Sequence, residues 1–323
     1  MEIQKTKEPF EPNVYFKRLG KRIIKNWPLY ALLLPLVLHL ILFSYRPMTG
    51  LVIAFQRFSP FLGTAGSPFV GFDNFEQLLF GRASPLFWRA VQNTFILSFY
   101  GLIFGFPFPI LLGIMFHELK QGKFRALSQS ILLLPNFLSE VIVAGIVIAF
   151  LQPSTGVINH FLVGAGILES GIYFLALPQY FRSIFTFMGI WMNAGFSSLI
   201  YLSALTAIGP ELYEAASIEG ANRLQRIWYI SLPGIKPTII ILFIMAIGGI
   251  LNTAFERVLL LYMPSTYSTA DVLGTYIFRI GFEESPPNTS LAAAAGLMNA
   301  VVSLILVSTA NFISRRATKT GLW

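Results

Sequence analysis

Six stretches of this chain of 323 residues are apolar for about the 20 residues a helix needs to cross a bilayer core: 27–45, 93–116, 128–151, 183–208, 238–262 and 290–313. Formal charge enters only the third, at Glu140, and the fifth, at Glu256 and Arg257. No water is available in lipid to satisfy a bare backbone, so such stretches must close their own hydrogen bonds as helices. The pattern predicts an all-α membrane protein: a six-helix transmembrane domain over residues 27–313, with a basic cytoplasmic segment at 1–26 and a short cytoplasmic tail at 314–323. Composition points the same way, because only 12% of residues are charged against about 25% in soluble domains. Such a chain could not cover a water-facing surface, and a soluble enzyme is excluded.

Lys and Arg set the orientation, since short cytoplasmic segments are enriched in them. Of the 23 such residues, 16 fall in segments 1–26, 117–127, 209–237 and 314–323. Both termini are therefore expected inside. This asymmetry accounts for most of the net charge of +8, and cations spread over four segments do not form a nucleic-acid face. The long polar lead before the first span, with no small-residue cleavage site, is unlike a secretory signal, so that span is expected to stay. Residues 14–25 mix apolar and basic side chains as a helix lying on a membrane surface does. Prolines 35, 107, 109 and 135 inside the spans are expected to kink them. There is no cysteine, which excludes thiol chemistry and Cys-bound metals.

The cytoplasmic loop at 209–237 is the most informative stretch. Pro210 suits a first helical position, and Glu211 and Glu214 lie near the positive end of the helix dipole. Leu212, Ala215 and Ala216 then share a smooth face, and Gly220 is placed to end the helix. Asn222 with Gln225 three residues on has the form of a capping box. A second short helix should follow, carrying Leu224, Ile227 and Trp228 until Pro233 stops it. Loops between bundle helices usually have about 2–8 residues. The greater length here points either to docking on a partner or to a helix pair resting on the membrane.

Glu214-Ala215-Ala216, then Gly220, then Ile230-Ser231-Leu232-Pro233 at its spacing resembles the EAA loop of binding-protein-dependent ABC importer permeases. The layout of spans, residues 45–58, Gly71-Phe72-Asp73-Asn74-Phe75 and residues 271–281 resemble the sugar and polysaccharide branch. The resemblance implies the type I importer fold, embedded in the cell membrane, and a permease subunit that works with four kinds of neighbour. These are a second and different permease chain, two ATPase subunits, an external solute-binding protein and the lipid bilayer. It implies that Glu214, Ala215, Ala216, Gly220, Ile230, Leu232 and Pro233 couple to the ATPase. No phosphate-binding Gly-x-x-x-x-Gly-Lys-Ser/Thr run occurs, so no cofactor is expected on this chain, and ATP and Mg belong to the partner ATPase subunits.

A sugar route needs hydrogen-bonding and aromatic groups within the bundle. Spans four and five supply Trp191, Asn193, Ser197, Tyr201, Gly249 and Asn252, and in the family these spans line the cavity. The alternative role for the asparagines is to bond neighbouring helices. Glu140 is an intramembrane acid and so a functional candidate: a polar interior contact, or the carboxylate of a proton-coupled secondary transporter. Glu256 and Arg257 are expected to pair locally. An integral membrane enzyme is the remaining rival, but His39, His117 and His160 lack any metal-ligand spacing.

Overall fold

The computed structural model describes residues 25–248 and 255–318. Five continuous helical stretches are long and apolar enough to cross a membrane: α1 (Trp27–Phe55), α2 (Ser84–Glu118), α5 (Pro178–Thr206), α7 (Arg223–Ile247) and α10, whose spanning part is Thr289–Ile313. A sixth crossing is available from α3 (Lys123–Phe137) and α4 (Glu140–Leu151), which meet at a bend of 102°. Between α5 and α7 lies the short helix α6 (Pro210–Ile218), and between α7 and α10 lie α8 (Phe255–Leu261) and α9 (Leu273–Phe278).

The third apolar stretch is therefore not one straight helix. Pro135 sits in a tight 3-10 turn, Leu138 and Ser139 adopt extended backbone angles, and the Ser139 hydroxyl accepts from the Ile142 amide at 3.3 Å, starting a new helix. Glu140 consequently lies in the first turn of α4 and not at mid-helix, where the positive end of the helix dipole favours a carboxylate.

Pro233 does not stop its helix either. A π-turn over Ile227–Ser231 widens the helix just upstream, and the chain continues into Leu232–Gly248. Proline lacks the N–H and its ring crowds the carbonyl four residues back, and a wider turn there relieves both. The same arrangement precedes Pro47, at Leu40–Tyr45, and Pro107, at Gly101–Gly105. The expected surface helix at 14–25, and the pathway residues Gly249 and Asn252, lie outside the described residues.

Helix α5 is the hub. Phe181, Phe185, Met188 and Met192 pack with Val143, Ala144 and Leu151 of α4 and with Val258 and Leu261 of α8. Lower down, Ala194 and Leu202 meet Leu112 and Phe116 of α2. The C-terminal part of α3 rests on α5 at Gly195, where an added Cβ would collide with the Leu132 carbonyl oxygen. A second core joins Phe87 and Ala90 of α2 to Leu273 and Tyr276 of α9 and to Leu291, Ala294 and Ala295 of α10. Helix α1 buries no residue in its most apolar window.

Candidate functional site: an intramembrane cavity and a two-helix loop

Two adjoining cavities, of about 410 Å³ and about 240 Å³, open between α2, α5 and the region of α8. Two rows at four-residue spacing run along their walls, and Leu242 and Ala246 of α7 face them. Helix α5 contributes Phe185, Gly189, Asn193, Ser197 and Tyr201, and α2 contributes Leu97, Gly101, Gly105 and Pro109. Residues four apart lie one above another on a helix, so the small members of each row hollow the space between them. Gly113, next in the α2 row, lets α2 approach α5: a Cβ there would lie 2.9 Å from that of Tyr201.

Of the pathway residues expected from sequence, the structure brings Asn193, Ser197 and Tyr201 together on this wall. Asn193 donates to the Gly189 carbonyl at 3.1 Å, and its own amide oxygen accepts from Asn136 at 3.5 Å. Trp191 does not join them. It lines an apolar groove with Ile146, Val147 and Phe150 of α4, because it falls on a different face of α5.

Glu140 and Arg257 meet across the bundle, Arg257 Nη2 donating to Glu140 Oε1 at 2.8 Å. The local pairing of Glu256 with Arg257 is thereby corrected, since consecutive residues on a helix point to different faces. Arg257 lines both cavities, lies over the Phe185 ring at 5.4 Å and fills the room left by Gly189, where a Cβ would lie 2.5 Å from Nη1. Sequence reasoning missed Arg257, Phe185 and Gly189 as wall residues. The signal was present in the four-residue spacing, and in Glu140 and Arg257 being opposite charges in otherwise apolar stretches.

A further polar cluster closes one end of the bundle. Asp271 is fully buried and receives two bonds from Arg279, at 3.0 and 2.6 Å, and one from Thr275 at 2.9 Å. Asn93 donates to the carbonyls of Ser268 and Asp271, and Arg182 donates to Asn93 at 3.2 Å. Burial alone would lower the pKa of Arg279, but the hydrogen bond and charge of Asp271 more than reverse this and raise it. Burial also pushes the Tyr276 phenol up to about 12. Nearby, Asn74 donates to the carbonyls of Ala54 and Gln56, packing the segment around Gly71, while Phe61, Phe69, Phe72 and Phe80 stay exposed.

At the other end, α6 is followed by a left-handed Gly220 with φ +83°. The Ala221 amide donates to the Ala216 carbonyl at 2.9 Å and the Gly220 amide to Ser217 at 3.1 Å, which satisfies the helix end. Asn222 and Gln225 form the reciprocal capping box, at 2.9 and 2.7 Å. Arg226 donates to the Ser217 hydroxyl at 2.8 Å, and the Tyr213 and Ser231 hydroxyls lie 3.1 Å apart, so the two helices are cross-tied. Glu214, Ala215, Gly220 and Pro233 are exposed, whereas Ala216, Ile230 and Leu232 are half-buried.

Helices long enough to span a bilayer around a largely apolar cavity with a few polar groups in its wall, and a folded elbow projecting from the bundle, define a membrane transport subunit. Residues 105–319 match the family described as binding-protein-dependent transport system inner membrane component, and the chain belongs to that family. It is thus a multi-pass inner-membrane permease and not an enzyme. It is 38% identical to the polygalacturonan/rhamnogalacturonan transport system permease protein YteP of Bacillus subtilis (strain 168), over 95% of this chain and 94% of that one. Protein LplB of the same organism is 36% identical over 91% of each chain. A crystal structure of a bacterial ABC transporter involved in import of the acidic polysaccharide alginate contains a chain 46% identical to this one. It matches with a TM-score of 0.85, covering 93% of this chain and 99% of that one. A second structure of such a transporter, in complex with an alginate pentasaccharide-bound periplasmic protein, matches equally well.

Proposed function

We propose that this chain forms half of the pathway of an ATP-driven importer for a sugar, oligosaccharide or polysaccharide fragment, and that its loop of two short helices receives force from a separate ATPase subunit. The observation that carries the reading is the loop itself: α6, the left-handed Gly220 and the capped second helix form a compact cross-tied elbow, and α6 buries none of its residues. The names of the relatives, the binding protein in the alginate complex and the polar wall of Asn193, Ser197 and Tyr201 support the sugar assignment.

In this reading both termini face the cytoplasm, where ATP and Mg bind the two ATPase subunits, and a second permease chain completes the pathway. Ala215 and Ala216 keep the contact face low, Glu214 meets polar or basic groups of the ATPase, and Gly220 fixes the elbow. Because the second helix runs through the π-turn into α7 without a break, closing of the ATPase dimer moves the elbow and the cavity wall together, exposing the cavity first to one side and then to the other. The exposed phenylalanines near Gly71 form the surface for the binding protein. A proton-relay role for Glu140 has less support, since its carboxylate is held by Arg257.

The test is ATP-driven uptake in proteoliposomes holding this chain, its partner permease, the ATPase and the binding protein. Gly220→Pro and Glu214→Lys should leave assembly intact while separating ATP hydrolysis from uptake; normal uptake in both would overturn the coupling role.

A further inference from the structure

The wall of the cavity carries a single formal charge among the described residues, that of Arg257, and residues 249–254 add none. Its side chain is only 10% exposed, yet Glu140 engages one guanidinium nitrogen through one oxygen. Among the described residues, Arg257 Nε and Glu140 Oε2 make no hydrogen bond, and neither does Thr186 Oγ1 on the same wall. A guanidinium has five donors and no need of this many merely to pair with one carboxylate oxygen. Buried donors left unbonded are costly, so an arginine kept in this condition beside a cavity is arranged for a partner that comes and goes. The Phe185 ring lies beside it, and the missing side chain at Gly189 leaves it room.

We propose that Arg257 recognises the carboxylate of an acidic sugar as it passes, with Glu140 as the positioning residue that holds the guanidinium. The inference rests on the sugar-importer reading and refines it to uronate-bearing oligosaccharides. A planar guanidinium matches a carboxylate with two parallel bonds, and a sugar with hydroxyls alone offers no counter-charge. The substrate carboxylate takes the donors that Glu140 leaves unused, while Thr186 and Asn193 lie on the same wall to meet ring hydroxyls. The acidic polysaccharide named for the similar solved transporters agrees with this chemistry.

The test uses the complete importer in proteoliposomes, supplied with an oligogalacturonate or with its methyl ester, which removes the charge and keeps the sugar. The variants are Arg257→Lys and the double change Glu140→Gln with Arg257→Gln, which leaves no unpaired charge behind. The double variant is expected to assemble and to lose the preference for acid over ester by about tenfold, the scale of one hydrogen bond to a charged group. Arg257→Lys should keep part of the preference, since charge remains and the planar fork does not. A double variant with lower uptake of both substrates at an unchanged ratio, or with no change at all, would show a structural pair and overturn the proposal while the importer reading stands. An unaltered importer that carries a neutral oligosaccharide but neither of these would likewise overturn the proposal alone, whereas one that carries no oligosaccharide would remove the reading on which it rests.

Discussion

Among the described residues, two largely buried ion pairs have opposite character. Asp271 uses both carboxylate oxygens on Arg279, takes a third bond from Thr275, and sits where Arg279 also covers the rings of Tyr267 and Tyr276 at 4.8 and 5.9 Å. Glu140 and Arg257 share one bond, beside a cavity. The first pair joins α9 to its neighbouring π-turn and, through Asn93 and Arg182, to α2 and α5. It is a latch, with bonding saturated. The second is an unfinished contact, and the unused capacity is what a pathway requires. Burial of charge therefore does not by itself distinguish structure from function; an unfinished pair on the wall of a cavity differs from one closed on itself.

Removing one partner of a saturated buried pair strands the other charge, at a cost of about 3–5 kcal/mol. Asp271→Ala should accordingly destabilise the bundle most, seen as a large fall in the unfolding midpoint of the detergent-purified protein. A small effect would erase the distinction between the two pairs. Next, Gly195→Ala places a Cβ against the Leu132 carbonyl and should cost about 1–3 kcal/mol by overpacking, shifting the α3–α4 bend on which Glu140 depends. Thermal unfolding and acid-over-ester preference should both fall. Glu140→Gln removes charge from the open pair but keeps its shape, and should cost less than Asp271→Ala in the same unfolding assay. Gly220→Ala forces a side chain into a left-handed conformation at a cost of about 1–2 kcal/mol, and it should weaken coupling of ATP hydrolysis to uptake, with a smaller fall in the unfolding midpoint than Asp271→Ala gives. Trp191→Ala is expected to alter the groove beside α4 and leave substrate preference alone, measured by the same uptake ratio.

Much of this was legible from sequence because hydrophobic length and loop chemistry are local. Pro210, Gly220, Asn222 and Gln225 specify their turns through their own backbones and nearest neighbours, and the structure shows the first helix, the elbow and the capped start of the second, which runs on into the span. The break at Leu138 and Ser139 was hidden inside an apolar run, where hydropathy cannot distinguish one straight helix from two bent ones. The passage of Pro233 was hidden as well, because a π-turn has no composition of its own. Sequence adjacency pairs Arg257 with Glu256, although its partner in the structure, Glu140, lies 117 positions away. That contact follows from tertiary packing, while the four-residue row from Phe185 to Tyr201 could have indicated the wall. The place of Trp191 in the groove beside α4 depends likewise on the rotation of α5, which polarity along the sequence does not give.

The chain has no cysteine, so Ala216→Cys gives it a single thiol on the face of α6 that the coupling account turns toward the ATPase. Cross-linking from that thiol in the assembled importer should capture an ATPase subunit, with a yield that changes between ATP-bound and nucleotide-free states. A thiol that labels freely with a water-soluble reagent in both states and never captures the ATPase would contradict the account.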